Sequence, residues 1–319
     1  MIASPSDKKI ATAGPSLNDA QREAVEHGDG PLLVLAGAGS GKTRVLTARI
    51  ARLIADGVVR ADQVLAVTFT NKAAGEMRER IARLLGTEPA GMWVGTFHAI
   101  GARMLRANAA LVGRTSAFTI YDEDDTLSVI KRLMDRHRVS PKIWTPRAIS
   151  SAISDARNAL DAPAEYAALA QMPLAKAVAP IYADLAGAFR TANAVSFDDL
   201  LGLPVELLTE HEAVRERYEK RFRVILVDEY QDTNRAQYEF VRLLGARHGN
   251  VVVVGDDDQS IYGWRGADVR NILDFERDFP DAHVVKLEQN YRSTEVILEA
   301  ANGVIARNTQ RKEKRLFTE

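Results

Sequence analysis

The sequence predicts an α/β fold in which helices cover both faces of a parallel sheet. Short apolar runs, each bounded by polar residues or glycine, alternate with longer stretches of helical periodicity. Continuous apolar runs are typical of parallel strands that are buried on both faces. Their alternation with helices favours crossover connections and parallel pairing. The predicted strands lie at residues 31–36, 64–69, 92–97, 223–228, 250–256 and 283–288.

Helical segments connect these strands and also form a separate block. One predicted helix covers residues 42–56, keeps its apolar residues on one face and ends at Gly57. Residues 117–196 contain amphipathic helical stretches with no strand between them, which predicts an inserted helical subdomain. The expected organisation is a flexible tail at 1–16, an α/β domain at 17–116 and 197–288, the insertion at 117–196, and the truncated start of a second domain at 289–319.

Composition excludes several classes of protein. The 319 residues are 46% hydrophobic and 27% charged, which is typical of a soluble globular protein. The absence of cysteine excludes disulfides, zinc–thiolate sites and iron–sulfur clusters and fits a cytoplasmic location. No apolar run is long enough to span a bilayer, so we expect no membrane partner. The net charge of −1 does not indicate a nucleic-acid partner, although it leaves room for a local basic surface.

A glycine-rich loop, AGAGSGKT, lies between the first predicted strand and the first helix. Glycine lets backbone N–H groups surround a phosphate, and the helix N-terminus favours negative charge. Lys42 is expected to reach the β- and γ-phosphates, and the Thr43 hydroxyl to ligate Mg²⁺. A turn without a ligand is disfavoured by the strand–loop–helix context. The candidate phosphate-binding residues are Ala36, Gly37, Ala38, Gly39, Ser40, Gly41, Lys42 and Thr43.

Two acids follow the strand RVILVD. Asp228 and Glu229 lie where an α/β sheet binds its ligands, at the carboxyl end of a strand. Asp228 is expected to hold Mg²⁺, and Glu229 to act as general base on the attacking water. Alone, such acids are commonly just solvated. Together with the glycine-rich loop they indicate hydrolysis of a nucleoside triphosphate, while a kinase or a switch remains an alternative at this point.

Seven segments together resemble a known family. LNDAQREAV, AGAGSGKT, TFTNKAA, GTFHAI, VDEYQDTN, GDDDQSIYGWRGA and LEQNYRS occur in this order and are similar to the motifs of superfamily 1 DNA helicases of the UvrD/PcrA/Rep type. The resemblance covers residues 17–319. It implies a RecA-like fold, ATP and Mg²⁺ as cofactors, and ATP-driven 3′–5′ movement on single-stranded DNA. It also implies that duplex–single-strand junctions and a second motor domain are partners, and that this N-terminal portion cannot unwind DNA alone.

The resemblance assigns further nucleotide contacts. Gln21 is similar to the glutamine that reads adenine, and Arg44 with Tyr291 to the pair that sandwiches the ring. Gln259 is similar to the family's γ-phosphate sensor, and Arg292 to an arginine finger. Considered alone, Gln21 fits an exposed helix position and Tyr291 with Arg292 an ordinary amphipathic turn.

The resemblance also implies a path for single-stranded DNA. Aromatic rings stack on bases of any sequence, whereas hydroxyls and amides bind phosphates. Core packing is the alternative for Phe69 and for Trp264, and hydrogen bonding or packing is expected of His98. Phe197, Leu200 and Leu201 are expected to pack in the core. The candidate DNA contacts are Thr68, Phe69, Thr96, His98, Tyr262, Trp264 and Arg265.

Three functions stay open. The chain is the N-terminal portion of an ATP-dependent DNA helicase, the motor portion of a related helicase–nuclease, or a nucleotide- and DNA-binding module with little hydrolysis. A small-molecule kinase is disfavoured by the set of Phe69, Tyr262 and Trp264.

Overall fold

A six-stranded parallel sheet forms the centre of the computed structural model, which describes residues 17–309 and 311–319 apart from the Arg265 side chain. The predicted tail at 1–16 lies outside the described residues. The strands of this sheet are β1 (Leu32–Ala36), β2 (Val64–Thr68), β3 (Trp93–Thr96), β6 (Val224–Val227), β7 (Val251–Gly255) and β8 (His283–Leu287). Their order across the sheet is β3-β2-β6-β7-β1-β8, and neighbouring strands pair in parallel. The α/β prediction and its six strands are therefore confirmed.

Helices cover both faces of the sheet, and several begin at a side chain that caps their first turn. Thr96, Thr145 and Asn234 each accept a hydrogen bond from a backbone N–H in the first turn of the helix that follows. Within the described part of the chain, no helix combines the length and apolarity needed to cross a membrane. The helices are α1 (Asp19–Glu26), α2 (Lys42–Ala55), α3 (Asn71–Leu85), α4 (Phe97–Ala107), α5 (Glu123–Arg136), α6 (Pro146–Asn158), α7 (Pro163–Leu169), α8 (Pro173–Thr191), α9 (Asp199–Glu210), α10 (Glu212–Arg221), α11 (Arg235–Gly245), α12 (Arg270–Leu273), α13 (Phe275–Asp278) and α14 (Glu295–Ile305).

Two apolar layers pack against the sheet, one on each face. Successive strand residues point to opposite faces, so β1 sends Leu33 and Leu35 into one layer and Leu32 and Val34 into the other. All residues of β1, β2, β6 and β7 are buried, as expected for central parallel strands. This double cover fixes the strands rigidly and holds the loops at their carboxyl ends.

A third apolar cluster lies within the predicted insertion. It is formed by residues of α5, α6 and α8, among them Ile130, Ile153 and Phe189, which are almost fully buried. Two short strands that the sequence analysis did not predict pair in parallel at its base, β4 (Thr119–Ile120) and β5 (Ala194–Val195). Two-residue strands leave no periodic pattern in a sequence. The pairing brings the two ends of the helical segment together.

A fully buried arginine ties α1 to α2. Arg49 is 0% exposed and donates to the carbonyl oxygens of Val25, His27 and Gly28 near the end of α1. These carbonyls have no partner inside their own helix, so the guanidinium group satisfies them. Burial lowers the pKa of Arg49 to about 10. The contact matters for the site because α1 also carries Gln21.

Candidate functional site

Loops from four adjacent strands meet at one edge of the sheet. In the order β6-β7-β1-β8 all carboxyl ends lie side by side, which is where parallel sheets bind ligands. β1 leads into the phosphate loop (residues 37–41), and β6 into Asp228 and Glu229. β7 leads into residues 256–264, which we call the β7 loop. β8 leads into Asn290, Tyr291 and Arg292.

The phosphate loop has the backbone conformation that its glycines allow. Gly39 and Gly41 have φ angles of 70° and 92°, in the left-handed region that favours glycine. The Ser40 hydroxyl donates to the carbonyl oxygen of Gly37 at 2.7 Å and holds the loop closed. α2 begins at Lys42 directly after it, so Lys42 and Thr43 occupy the first turn, whose N–H groups have no helical partners.

The Gln21 side chain lies against the phosphate loop. Its Nε2 donates to the carbonyl oxygen of Ser40 at 2.9 Å, and the side chain is 0% exposed. Its Oε1 accepts from the N–H of Asn18, while Asn18 accepts from the N–H of Gln21. This reciprocal cap fixes the amide beside the phosphate loop. The interpretation of Gln21 as an exposed helix residue is therefore wrong, and adenine reading stays a prediction.

Lys42 reaches across to the acids at the end of β6. Its Nζ lies 2.7 Å from Oε2 of Glu229. Glu229 has a φ angle of 52°, a left-handed conformation that is uncommon for a residue with a side chain. The Asp228 carboxylate accepts the N–H of Glu229 at 3.0 Å, which stabilises the turn. The geometry thus brings together three of the predicted catalytic residues.

Burial and the charge of Glu229 raise the pKa of two carboxyl groups at the end of β6. Burial, and then the Glu229 charge, raise the pKa of Asp228 from 3.8 to about 6. The same two causes raise the pKa of Asp232 to about 6. Strongly perturbed carboxyl groups of this kind cluster at functional sites. The Asp228 carboxylate and the Thr43 hydroxyl are oxygen ligands of the kind that Mg²⁺ prefers.

We expect Asp228→Asn to stabilise the protein free of metal and nucleotide. The folded pKa exceeds the unfolded one, so the ionised carboxylate lowers stability above about pH 6 and costs nothing below the unfolded pKa. The free energy of unfolding should rise by about 1–3 kcal/mol at about pH 7.5, with little change at about pH 4. Denaturant unfolding at both values checks this, with the exposed Asp281→Asn as the control. An equal gain at both values contradicts the proposed cause.

Gln231, which was not predicted as a site residue from the sequence, links Glu229 to β7. Its Nε2 donates to Oε2 of Glu229 at 3.0 Å and to Asp232 at 3.1 Å. Its Oε1 accepts the N–H of Asp256 at 3.0 Å, and the residue is 1% exposed. The sequence signal was its place between two acids in DEYQD. One amide therefore orients the predicted base and anchors the start of the β7 loop.

Asn290, also missed, fixes the segment after β8 on the phosphate loop. Its Nδ2 donates to the carbonyl oxygen of Ala38 at 2.5 Å, and its Oδ1 accepts the N–H groups of Arg292 and Ser293. The N–H of Tyr291 donates to the Gly39 carbonyl at 3.0 Å. Tyr291 and Arg292 are thus held against the phosphate loop. The adenine sandwich with the half-buried Arg44 stays a prediction.

The β7 loop extends from the phosphate edge to an aromatic cleft. Gln259 donates to the Asp256 carboxylate at the start of the loop. Three residues later, the Tyr262 ring stacks on Phe69, with 5.0 Å between centroids. The ring centroid of Trp264 lies 6.4 Å from that of Tyr262, and Trp264 is 73% exposed. The alternative that Trp264 packs in the core is therefore wrong. Phe69 is 37% exposed and also faces the cleft.

The cleft has a volume of about 700 Å³ and lies between the sheet edge and α6. Phe197, expected in the core, is instead 54% exposed and meets His98 edge to face at 5.9 Å, because the turn before α9 points it outward. Burial lowers the pKa of the His98 ring, while the nearby Asp198 charge acts in the opposite direction. Thr68 and Thr96 also line the cleft, but the Arg265 side chain lies outside the described residues. Among the described lining residues, the charged ones are four acids and one arginine: Glu123, Asp155, Asp198, Asp232 and Arg147. The described lining therefore offers a ligand aromatic rings and hydroxyls but few cations.

Comparison with known proteins assigns the family. The model of the UvrD/REP helicase N-terminal domain matches residues 17–280. ATP-dependent DNA helicase UvrD1 of Mycobacterium tuberculosis is 50% identical over 329 residues, covering 99% of this chain and 42% of that protein. ATP-dependent DNA helicase PcrA of Bacillus subtilis is 49% identical over 303 residues, covering 95% and 41%. The chain thus spans about two fifths of the length of these curated relatives. With most of its length matched, the chain belongs to the UvrD/REP helicase N-terminal domain family.

Proposed function

We propose that the chain is the ATP- and DNA-binding portion of an ATP-dependent 3′–5′ DNA helicase. One observation carries the proposal: the β7 loop begins at the phosphate edge, with Gln259, and ends in the aromatic cleft, with Tyr262 against Phe69. A single short loop can therefore contact the γ-phosphate at one end and change the protein's affinity for a base at the other. The 3′–5′ direction rests on the family resemblance alone.

The nucleotide is proposed to bind at the edge formed by β6, β7, β1 and β8. Lys42 neutralises the β- and γ-phosphates, and its ion pair with Glu229 opens when they bind. Thr43 and Asp228 would hold Mg²⁺, which supplies charge neutralisation at the phosphates. Glu229, oriented by Gln231, accepts the proton of the attacking water. Gln21 and Arg44 face the base, with Tyr291 and Arg292 closing from the β8 side.

Single-stranded DNA is proposed to lie in the aromatic cleft. The rings of Phe69, Tyr262 and Trp264 stack on bases without reading their sequence. The hydroxyls of Thr68 and Thr96 and the His98 ring contribute polar contacts along the strand. Because the lining carries several acids, phosphates should face solvent while the bases face the rings.

The domain organisation is also part of the proposal. Residues 17–116 and 197–288 form the RecA-like domain, and 117–196 the helical insertion, which has a separate apolar cluster. Residues 289–319 begin a second motor domain, and the relatives' greater length leaves room for its remainder. Unwinding at duplex–single-strand junctions is assigned to the whole protein. A cytoplasmic location stays a prediction.

Steady-state ATP hydrolysis, with and without a single-stranded oligonucleotide, tests the proposal. We expect DNA to raise the rate of hydrolysis. We expect Lys42→Ala to abolish hydrolysis with and without DNA, because the phosphates lose the positive charge that neutralises them. Lys131→Ala, at an exposed position on α5 and outside the seven motifs, is the control. Binding of both ligands without turnover would favour a binding module that needs the rest of the protein. Absence of DNA binding in every nucleotide state would contradict the proposal and revive the kinase alternative.

A further inference from the structure

A buried ion cluster joins the β7 loop to a segment far along the chain. Nζ of Lys314 lies 2.8 Å from a carboxylate oxygen of Asp256, 2.5 Å from Asp257 and 2.8 Å from Asp258. The Lys314 side chain is only 2% exposed. A guanidinium nitrogen of Arg311 donates to Asp258 at 2.9 Å. The first three residues of the β7 loop are thus all held by one amino group.

The segment that carries Lys314 also covers the phosphate loop. We call residues 311–317 the strap. A Cβ added at Gly37 would clash with Cδ2 of Leu316, so the strap packs directly on the phosphate loop. The N–H of Asn290 donates to the Phe317 carbonyl at 2.7 Å, and the N–H of Phe317 to the Glu288 carbonyl at 3.1 Å. The strap therefore contacts both the phosphate loop and the β7 loop.

Electrostatics explain why the cluster needs its lysine. Oxygen atoms of Asp256, Asp257 and Asp258 lie within 4.8 Å of one another, so the three carboxylates repel without a cation among them. Burial acts to lower the pKa of Lys314, but the three aspartates outweigh burial and raise it. The ammonium group of Lys314 thus supplies the positive charge that lies among the three carboxylates.

We propose that Lys314 is a positioning residue that fixes the β7 loop and thereby sets how strongly nucleotide changes the grip on DNA. It acts through the loop: holding Asp256–Asp258 sets the placement of Gln259 and of the rings of Tyr262 and Trp264. The strap also transmits movement of the phosphate loop to the same cluster through Leu316. This inference rests on the proposed function for its consequence, but the positioning itself is testable without ligand.

Amide hydrogen exchange tests the positioning directly. The N–H groups of Asp258 and Gln259 both donate to Asp256 and should exchange at least about tenfold faster in Lys314→Met, because the loop opens locally. The charge-matched Lys314→Met/Asp257→Asn variant keeps the cluster's net charge and guards against loss of folding. Arg315→Ala, an exposed strap residue, is the matched control. Unchanged protection in the folded charge-matched variant overturns the inference.

The ratio of DNA dissociation constants without and with a non-hydrolysable ATP analogue tests the consequence. Couplings of this kind are ordinarily about 5- to 150-fold, and we expect both Lys314 variants to bring the ratio close to one. Arg315→Ala should leave it unchanged. A chain that binds neither ligand contradicts the proposed function, while hydrogen exchange still decides the positioning role. Coupling that survives in both Lys314 variants overturns the inference alone.

Discussion

Glu229→Gln is expected to lower the rate of ATP hydrolysis by about 10²- to 10⁴-fold, the usual contribution of a general base. Glutamine keeps the size of the side chain and an oxygen that can accept from Gln231, whose Nε2 lies 3.0 Å from Glu229. The amide cannot accept a proton from water. It also removes the ion pair with Lys42, so ATP affinity should stay level or rise. The variant should therefore bind ATP but fail to turn it over.

Single-turnover hydrolysis with protein in excess of ATP separates these effects, because it measures the chemical step without product release. Nucleotide affinity is measured in parallel. Glu79→Gln, at an exposed position on α3, is the control. Retention of the full single-turnover rate in Glu229→Gln would remove Glu229 from the catalytic step and leave Asp228 or Asp232 as the candidate base.

Trp264→Ala and Tyr262→Ala are each expected to weaken single-stranded DNA binding by about 5- to 150-fold, which corresponds to about 1–3 kcal/mol per stacked base. Trp264 is 73% exposed, so its removal creates no core cavity. The loss should be similar for oligonucleotides of different sequence, since stacking does not read base edges. ATP affinity should be unaffected.

Fluorescence anisotropy of labelled oligonucleotides measures this loss. Ile261→Ala is the matched control, because Ile261 lies in the same β7 loop, is 70% exposed and has no ring. If Ile261→Ala weakens binding as much as the ring variants, general disturbance of the loop explains the effect. If neither ring variant weakens binding, DNA does not lie in this cleft.

The sheet and the phosphate loop could be predicted because each leaves a local pattern. The predicted run at 250–256 matches Val251–Gly255, and that at 31–36 matches Leu32–Ala36. A buried parallel strand is apolar throughout, and a loop around phosphate requires glycine between a strand and a helix, so a local pattern identifies each. The short strands at 119–120 and 194–195 are stabilised by pairing with each other, which no local pattern records.

Single polar and aromatic side chains were harder to predict because their partners are distant in sequence. Arg49 is a charged residue on the buried, otherwise apolar face of α2. Its full burial is possible because carbonyl oxygens at the end of α1 accept its hydrogen bonds. Phe197 has the large apolar side chain of a core residue, but the turn before α9 directs it outward. Gln231 and Lys314 gain their importance from contacts with Asp256, which only the folded chain brings near.

The proposed mechanism depends on one loop, the β7 loop, which connects the γ-phosphate to the affinity for DNA. The most direct test is the dissociation constant for a single-stranded oligonucleotide with a non-hydrolysable ATP analogue and with ADP, in the unaltered chain and in Gln259→Ala. We expect the two nucleotides to give different DNA affinities in the unaltered chain and the same affinity in Gln259→Ala. Equal affinities in the unaltered chain, or a difference that persists without Gln259, would contradict the proposed mechanism.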